Sequence, residues 1–265
     1  MATNPPLLVE RHDGVATLTL NRPEALNTLD NELMVALVNA AADVAADESL
    51  RVVVLRGAGK HFMAGGDLKT FAAELSRSPA ERTAHFRLTI GRLHAAIEQF
   101  HRMPHPLVGQ VHGAVAGFGL SLMNACDLVV ASEDTYFAAA YRNIALTPDG
   151  GGSWSLPRIV GPRRAMEILL LAERFDARHA LELGLVNRVV PLAELEATVA
   201  GLVAGLRAGP LTAIRNTRRL VRESLGRSLS QQLDAEAEAL AACAGSDDFV
   251  EGITAFLEKR PARFR

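Results

Sequence analysis

The chain has 265 residues, 49% hydrophobic and 22% charged, which supplies a sizeable core and excludes a disordered chain. With 28 lysines and arginines against 30 aspartates and glutamates, the net charge of -2 argues against a protein built to hold nucleic acid or an anionic membrane. Two cysteines, Cys126 and Cys243, make neither a disulfide framework nor a four-thiolate metal site; with no signal-peptide pattern at the start and no apolar run of about 18 residues, a cytoplasmic protein is expected. In chain order, Val15–Leu20 alternates after the turn pair Asp13-Gly14 and predicts a half-exposed strand. Leu33, Leu37, Ala40, Ala41 and Val44 recur at helical spacing behind Asp30, a candidate N-cap. Residues 51–55, with three consecutive valines, read as a strand buried on both faces. A long helix is predicted from Pro79, capped by Ser78, with Phe86, Ile90, Leu93 and Ile97 on its stripe. Further buried strands are expected at Leu107–Val111 and 128–131, and a short one at 186–190. Helical patterns then fill 165–171, 192–206, 211–225 and 230–242, and a last helix carries Phe249, Ile253, Phe256 and Leu257. The layout predicts an α/β core over 1–190 and a helical portion over 191–265, whose apolar stripes must be buried on the core or on another subunit.

Three glycine-rich segments stand where strands should end: Ala64-Gly65-Gly66-Asp67, then Gly113 to Gly119, then Pro148-Asp149-Gly150-Gly151-Gly152. Each precedes a helix-compatible run (68–74, 120–125 and 153–156). Amides at a helix start lack internal partners and lie at the positive end of the dipole, so two such loops converging would hold an oxygen that gains negative charge. Each loop alone is equally a tight turn. Gly57-Ala58-Gly59-Lys60 is not a P-loop, no dinucleotide fingerprint lies between a strand and a helix, and Ser121 lacks the surroundings of a nucleophile elbow. The eight histidines form no metal-binding pair, so no metal is expected.

Taken together, Asn21 to Asn27, Phe62 to Leu68, Gly113 to Gly119, Pro148 to Gly151 and the ending Glu251 to Arg260 resemble the crotonase (enoyl-CoA hydratase/isomerase) superfamily, in the right order from about residue 7 onward. The resemblance implies a spiral of ββα units, a C-terminal helical trimerisation region, and a homotrimer or dimer of trimers. It also implies an acyl-coenzyme A thioester as substrate, with no cofactor beyond that coenzyme A. Carried over by motif, the amides of Gly66 and Phe118 would hold the thioester oxygen. Ala25, Leu26, Ala64, Asp67 and Leu68 would line the coenzyme A site, with Phe256 and Lys259 reaching a nucleotide.

The departures bear on the reaction. Hydratases of this family use two glutamates, where this chain has Ser121 and Tyr141, and a hydroxyl is a poor base at neutral pH. The carboxylate left is Asp149, whose position resembles that of the aspartate in dienoyl-CoA isomerases, in ring-epoxide isomerases and in 4-chlorobenzoyl-CoA dehalogenase. His94 resembles the dehalogenase's base and Tyr141 stands at its tryptophan. The leading expectation is isomerisation of an enoyl- or dienoyl-CoA with Asp149 as acid/base. Hydration through a water activated by Asp149, and displacement on an aryl-CoA by Asp149 with His94 activating water, stay open. So do plainer roles: Asp149 as a turn or N-cap residue, His94 as a satisfied core histidine, Tyr141 as packing, and Ser121 as a small residue leaving room for the acyl group. The stretch 71–87 is expected to set pocket size. Arg215, Arg218, Arg219 and Arg222 make a basic helix face, either solvated or against an acidic neighbour. That face motivates a reading from another class, a non-catalytic RNA- or partner-binding protein, against which the net charge weighs.

Overall fold

The computed structural model describes residues 4–264. The chain opens with β1 (Leu7–His12) and β2 (Val15–Leu20), an antiparallel pair closed by the predicted Asp13-Gly14 turn, both residues at positive φ. β1 carries no alternation; its three apolar residues run into Glu10, Arg11 and His12, which an edge strand leaves in water. Asp30 accepts the Leu33 amide (2.8 Å) and starts α1 (Asn31–Ala46), followed by β3 (Val52–Gly57) and the short α2 (Leu68–Ala73). The long α3 (Pro79–Arg102) begins as predicted: Ser78 and Glu81 complete a capping box and proline occupies the first helical position.

Then come β4 (Leu107–Val111), β5 (Ala114–Ala116), α4 (Phe118–Asn124), β6 (Leu128–Ser132) and β7 (Tyr136–Ala138). α5 (Gly152–Leu171) joins the predicted 153–156 and 165–171 segments into one element, broken by non-helical φ/ψ at Gly161 next to Pro162. β8 (Phe175–Asp176), α6 (Ala177–Glu182) and β9 (Arg188–Val190) precede the last four helices. These are α7 (Leu192–Ala208), α8 (Leu211–Ser224), α9 (Leu229–Ala244) and α10 (Asp247–Leu257).

Two sheets result, β1-β2-β3-β4-β6-β9, parallel from β2 onward, and the smaller β5-β7-β8. Strand alternation sorts the apolar residues of the large sheet between its faces. Ala16, Leu18, Leu20, Val53 and Leu55 enter the main core with Leu33, Leu37 and Ala41 of α1 and Leu93, Ala96 and Phe100 of α3. Val52, Val54, Val108 and Val130 face the other way, onto Leu195 and Val199 of α7. The valine run of β3 is thus buried on both sides, as expected. The strands end at 190, yet α7 covers a face of the sheet and belongs to its packing. Among the described residues, no single helix is long and apolar enough to cross a membrane.

The basic face of α8 turns inward. Arg218, only 8% exposed, donates to Asp127 Oδ2 (2.7 Å) and to the carbonyls of Phe100, His101 and Met103; Arg222 donates to Asp127 Oδ1 (2.8 Å). Arg215 donates to the carbonyls of Glu48 and Leu50. The acidic neighbour is therefore Asp127, and the feature that motivated RNA binding is largely spent in tying α8 to α3 and β6.

Candidate active site

Two of the glycine loops meet. Met63 bridges Val115, its amide donating to Ala114 O (3.0 Å) and its carbonyl accepting from Ala116 N (2.9 Å). This brings Gly65 and Gly117 so close that a Cβ on Gly117 would lie 3.4 Å from Gly65 Cα, and both residues sit at positive φ (101° and 52°). The residues that follow them, Gly66 and Phe118, line one cleft of about 640 Å³. Leu29 pairs with the loop by donating to Gly65 O and accepting from Asp67 N, which bypasses the Gly66 amide. Phe118 opens α4, where an amide has no intrahelical acceptor. Neither amide has a hydrogen-bond acceptor among the described residues.

The third glycine loop closes the same cleft. Asp149 lines it with Tyr141 and His94. The Tyr141 hydroxyl donates to Asp149 Oδ1 (2.7 Å), and the Ser121 hydroxyl lies 3.0 Å from that of Tyr141. Burial raises Asp149 above the ordinary carboxylate range; the Tyr141 hydrogen bond pulls the other way. Burial, then the Asp149 charge beside it, pushes Tyr141 up as well, so its hydroxyl stays protonated and remains a donor. His94 Nε2 accepts the Gly150 amide (3.2 Å), so this nitrogen carries no proton and the ring is tied to the loop bearing Asp149. Asp149 itself does not cap α5; Gly151 occupies the N-cap position.

Two other carboxylates reach the cleft, and both have cationic partners. Asp30 pairs with Arg22 (2.8 Å), and Glu74 pairs with Arg77 and approaches His85 (3.7 Å). Asp149 has no arginine or lysine partner among the described residues. The apolar wall is built by the stretch expected to set pocket size. The Phe71 ring lies against Gly66, where a Cβ would meet its Cζ at 2.7 Å, and packs edge-on against Phe86 (5.4 Å between centroids). Among the described residues, no group of three or more His, Cys, Asp and Glu side chains could hold a metal ion.

The enoyl-CoA hydratase/isomerase family model matches residues 10–265. The chain belongs to the enoyl-CoA hydratase/isomerase family. Its similarity extends to both kinds of enzyme in the family's name. The chain is 32% identical to 1,2-epoxyphenylacetyl-CoA isomerase of Escherichia coli, covering 95% of each chain. It is 31% identical to crotonyl-CoA hydratase of Syntrophomonas wolfei, covering 97% of each. The crystal structure of an enoyl-CoA hydratase from Polaromonas sp. JS666 matches with a TM-score of 0.89 at 34% identity, over 98% of this chain and 99% of that one. The fold is accordingly the crotonase-like α/β architecture with a helical C-terminal region.

Of the residues carried over from this family, Gly66, Phe118, Asp149, His94, Tyr141, Ala64 and Leu68 line the cleft. The others stand outside its lining. Ala25 ends a 3-10 turn, and Leu26 accepts the Ala64 amide (3.1 Å), so the pair braces the loop from behind. Asp67 is occupied by Arg22 (3.2 Å) and by capping α2 through the Lys69 amide (2.9 Å). Phe256 lies exposed on α10, and Lys259 follows that helix, away from the cleft lining of its own chain. Ser121 also departs from expectation: it does not line the cleft but stands behind Tyr141. Its link to Asp149 had a faint signal in sequence, the glycines at 150 and 152 that leave it space.

Proposed function

We propose that the protein is an acyl-CoA isomerase that shifts a double bond through an enolate, with Asp149 as the single acid/base. The thioester oxygen sits at the Gly66 and Phe118 amides, which are placed where negative charge develops. Asp149 takes a proton from one carbon; the electron pair of that C–H bond moves into the enolate. The same proton returns to a carbon further along the conjugated system, with no water consumed and no redox partner needed.

The observation that carries this reading is the state of the carboxylates. Among the described residues, Asp149 alone of the three carboxylates in the cleft has no arginine partner, and burial raises its pKa toward that of a useful acid/base. Hydration through two carboxylates finds no second one beside it, since the Ser121 and Tyr141 hydroxyls are joined in one hydrogen-bonded chain. Displacement with His94 activating water finds Nε2 already engaged by Gly150.

The test is turnover of an enoyl-CoA with an isolated double bond in deuterated and 18O-labelled water, for the natural chain and Asp149→Asn. Bond migration without 18O uptake is expected, and Asp149→Asn should lose about 10²–10⁴-fold in rate while binding thioester nearly as well. Efficient 18O uptake, or full activity in Asp149→Asn, would overturn the reading.

We propose further that α7–α10 assemble the chain into a homotrimer or a dimer of trimers. Phe256 is 81% and Leu240 73% exposed, more apolar surface than a lone chain ordinarily leaves in water. Light scattering behind size exclusion should give three or six times the 28.4 kDa chain mass; a monomer refutes the assembly.

A further inference from the structure

We infer that Ser121 is a positioning residue for Asp149, acting through Tyr141: its hydroxyl holds the Tyr141 hydroxyl on Oδ1 and so leaves Oδ2 as the oxygen that exchanges a proton with the substrate. This rests on the isomerase reading for its catalytic consequence, though the hydrogen-bonded chain itself does not.

The direction of the chain follows from counting protons. An ionised carboxylate only accepts, so at 2.7 Å the Tyr141 hydroxyl spends its one proton on Asp149 Oδ1. The 3.0 Å contact between Tyr141 and Ser121 then has one possible donor, Ser121. The order is Ser121 to Tyr141 to Asp149, within a buried setting where each bond polarises the next. Tyr141 is 9% exposed and Ser121 3%. No side chain other than Tyr141 hydrogen-bonds the Asp149 carboxyl among the described residues; its other hydrogen bond is with its own backbone amide. A proton arriving on Asp149 therefore settles on Oδ2, because Oδ1 is occupied by the tyrosine.

A second observation is independent of those distances. A Cβ at position 152 would lie 2.6 Å from Ser121 Oγ, and one at position 150 would lie 3.1 Å from Ser121 Cβ and 2.7 Å from the Phe118 ring. The glycines flanking Gly151 are thus the space in which Ser121 sits. Had the serine only to be small, a methyl group at 152 would clash with nothing but its hydroxyl. The groups that face Asp149 are His94 from α3, Tyr141 from the turn before the loop and, behind that tyrosine, Ser121 from α4.

The experiment reads the Asp149 carboxyl by 13C NMR titration of the unliganded protein, so it needs no turnover. Ser121→Ala leaves the Tyr141 hydroxyl less polarised and freer to turn away, which weakens its bond to the carboxylate. The titration midpoint should rise by about half a pH unit, a threefold change in proton affinity. In a Tyr141→Phe background the same change should move the midpoint no further, since the route is already cut. Ser121→Cys, a weaker donor of similar size, should fall between. For turnover, Ser121→Ala should lower kcat and leave KM nearly unchanged. A midpoint unmoved by Ser121→Ala, or moved equally with and without Tyr141, overturns the positioning role. Full activity in Asp149→Asn overturns the isomerase reading instead, and the titration still decides the hydrogen-bonded chain.

Discussion

Asp127 and Asp149 are both largely withdrawn from water, and the company each keeps makes one a fastener and the other a tool. Asp127 accepts the Leu107 amide (2.8 Å) and lies between two guanidinium groups, each at 2.7 Å. All of its acceptor capacity serves to join β4, β6 and α8. Asp149 has a tyrosine hydroxyl on one oxygen, no arginine or lysine partner among the described residues, and a place in the cleft lining. A buried charge is costly unless paired. At position 127 the two guanidinium partners offset that cost. At position 149 the cost is left partly standing, and the raised pKa is its expression. The same residue type in one chain can therefore be sorted into structure or chemistry by its partners.

The sharpest way to break this contrast is to remove each carboxylate and ask what the fold loses. Asp127→Ala strands Arg218, whose side chain is 6% exposed, without its counterion. Breaking a buried pair from one side costs about 3–5 kcal/mol. Urea unfolding should register a loss of that size, with catalysis in the surviving folded fraction close to normal. A loss under about 1 kcal/mol would mean that the clamp is ornamental, and the contrast with Asp149 would collapse.

How far the sequence spoke depended on how far apart the cooperating residues lie. Local rules placed β2, the capped start of α3 and α7 to α9 to within two residues, because alternation, caps and helical stripes act over one or two turns of chain. β5, β7 and β8 are two or three residues long, too short to show any period, and exist because other strands and loops present edges to them. In the site, Gly66, Phe118 and Asp149 were legible through their glycine loops and the family resemblance. What Ser121 does was not: it meets Tyr141 across 20 residues of sequence, and its fit depends on Gly152 from a third element. For Arg218 an acidic neighbour was one of two readings, and which residue it is was not legible because Asp127 lies 91 residues away. Periodicity can mark the face of a helix, but not which loop will come to rest on it.

The smallest expected effect sharpens the contrast because its sign is opposite. A carboxylate whose folded-state pKa lies above its unfolded value of about 3.9 binds more protons when folded across the interval between the two. Its contribution to stability is fully present below the unfolded pKa and is lost as pH rises through the folded one. Asp149→Asn keeps the shape and the acceptor for Tyr141 but carries no charge at any pH, so it escapes that loss. The variant should match the natural chain near pH 4, then become the more stable of the two as pH rises, levelling off once Asp149 is fully ionised. Parallel urea titrations of the two proteins across that range measure the difference directly, and subtraction removes every other group that titrates. A difference that stays flat, or that favours the natural chain at neutral pH, would show that the charge of Asp149 is compensated in the folded state as that of Asp127 is. In that event burial would not be what readies Asp149 to carry a proton.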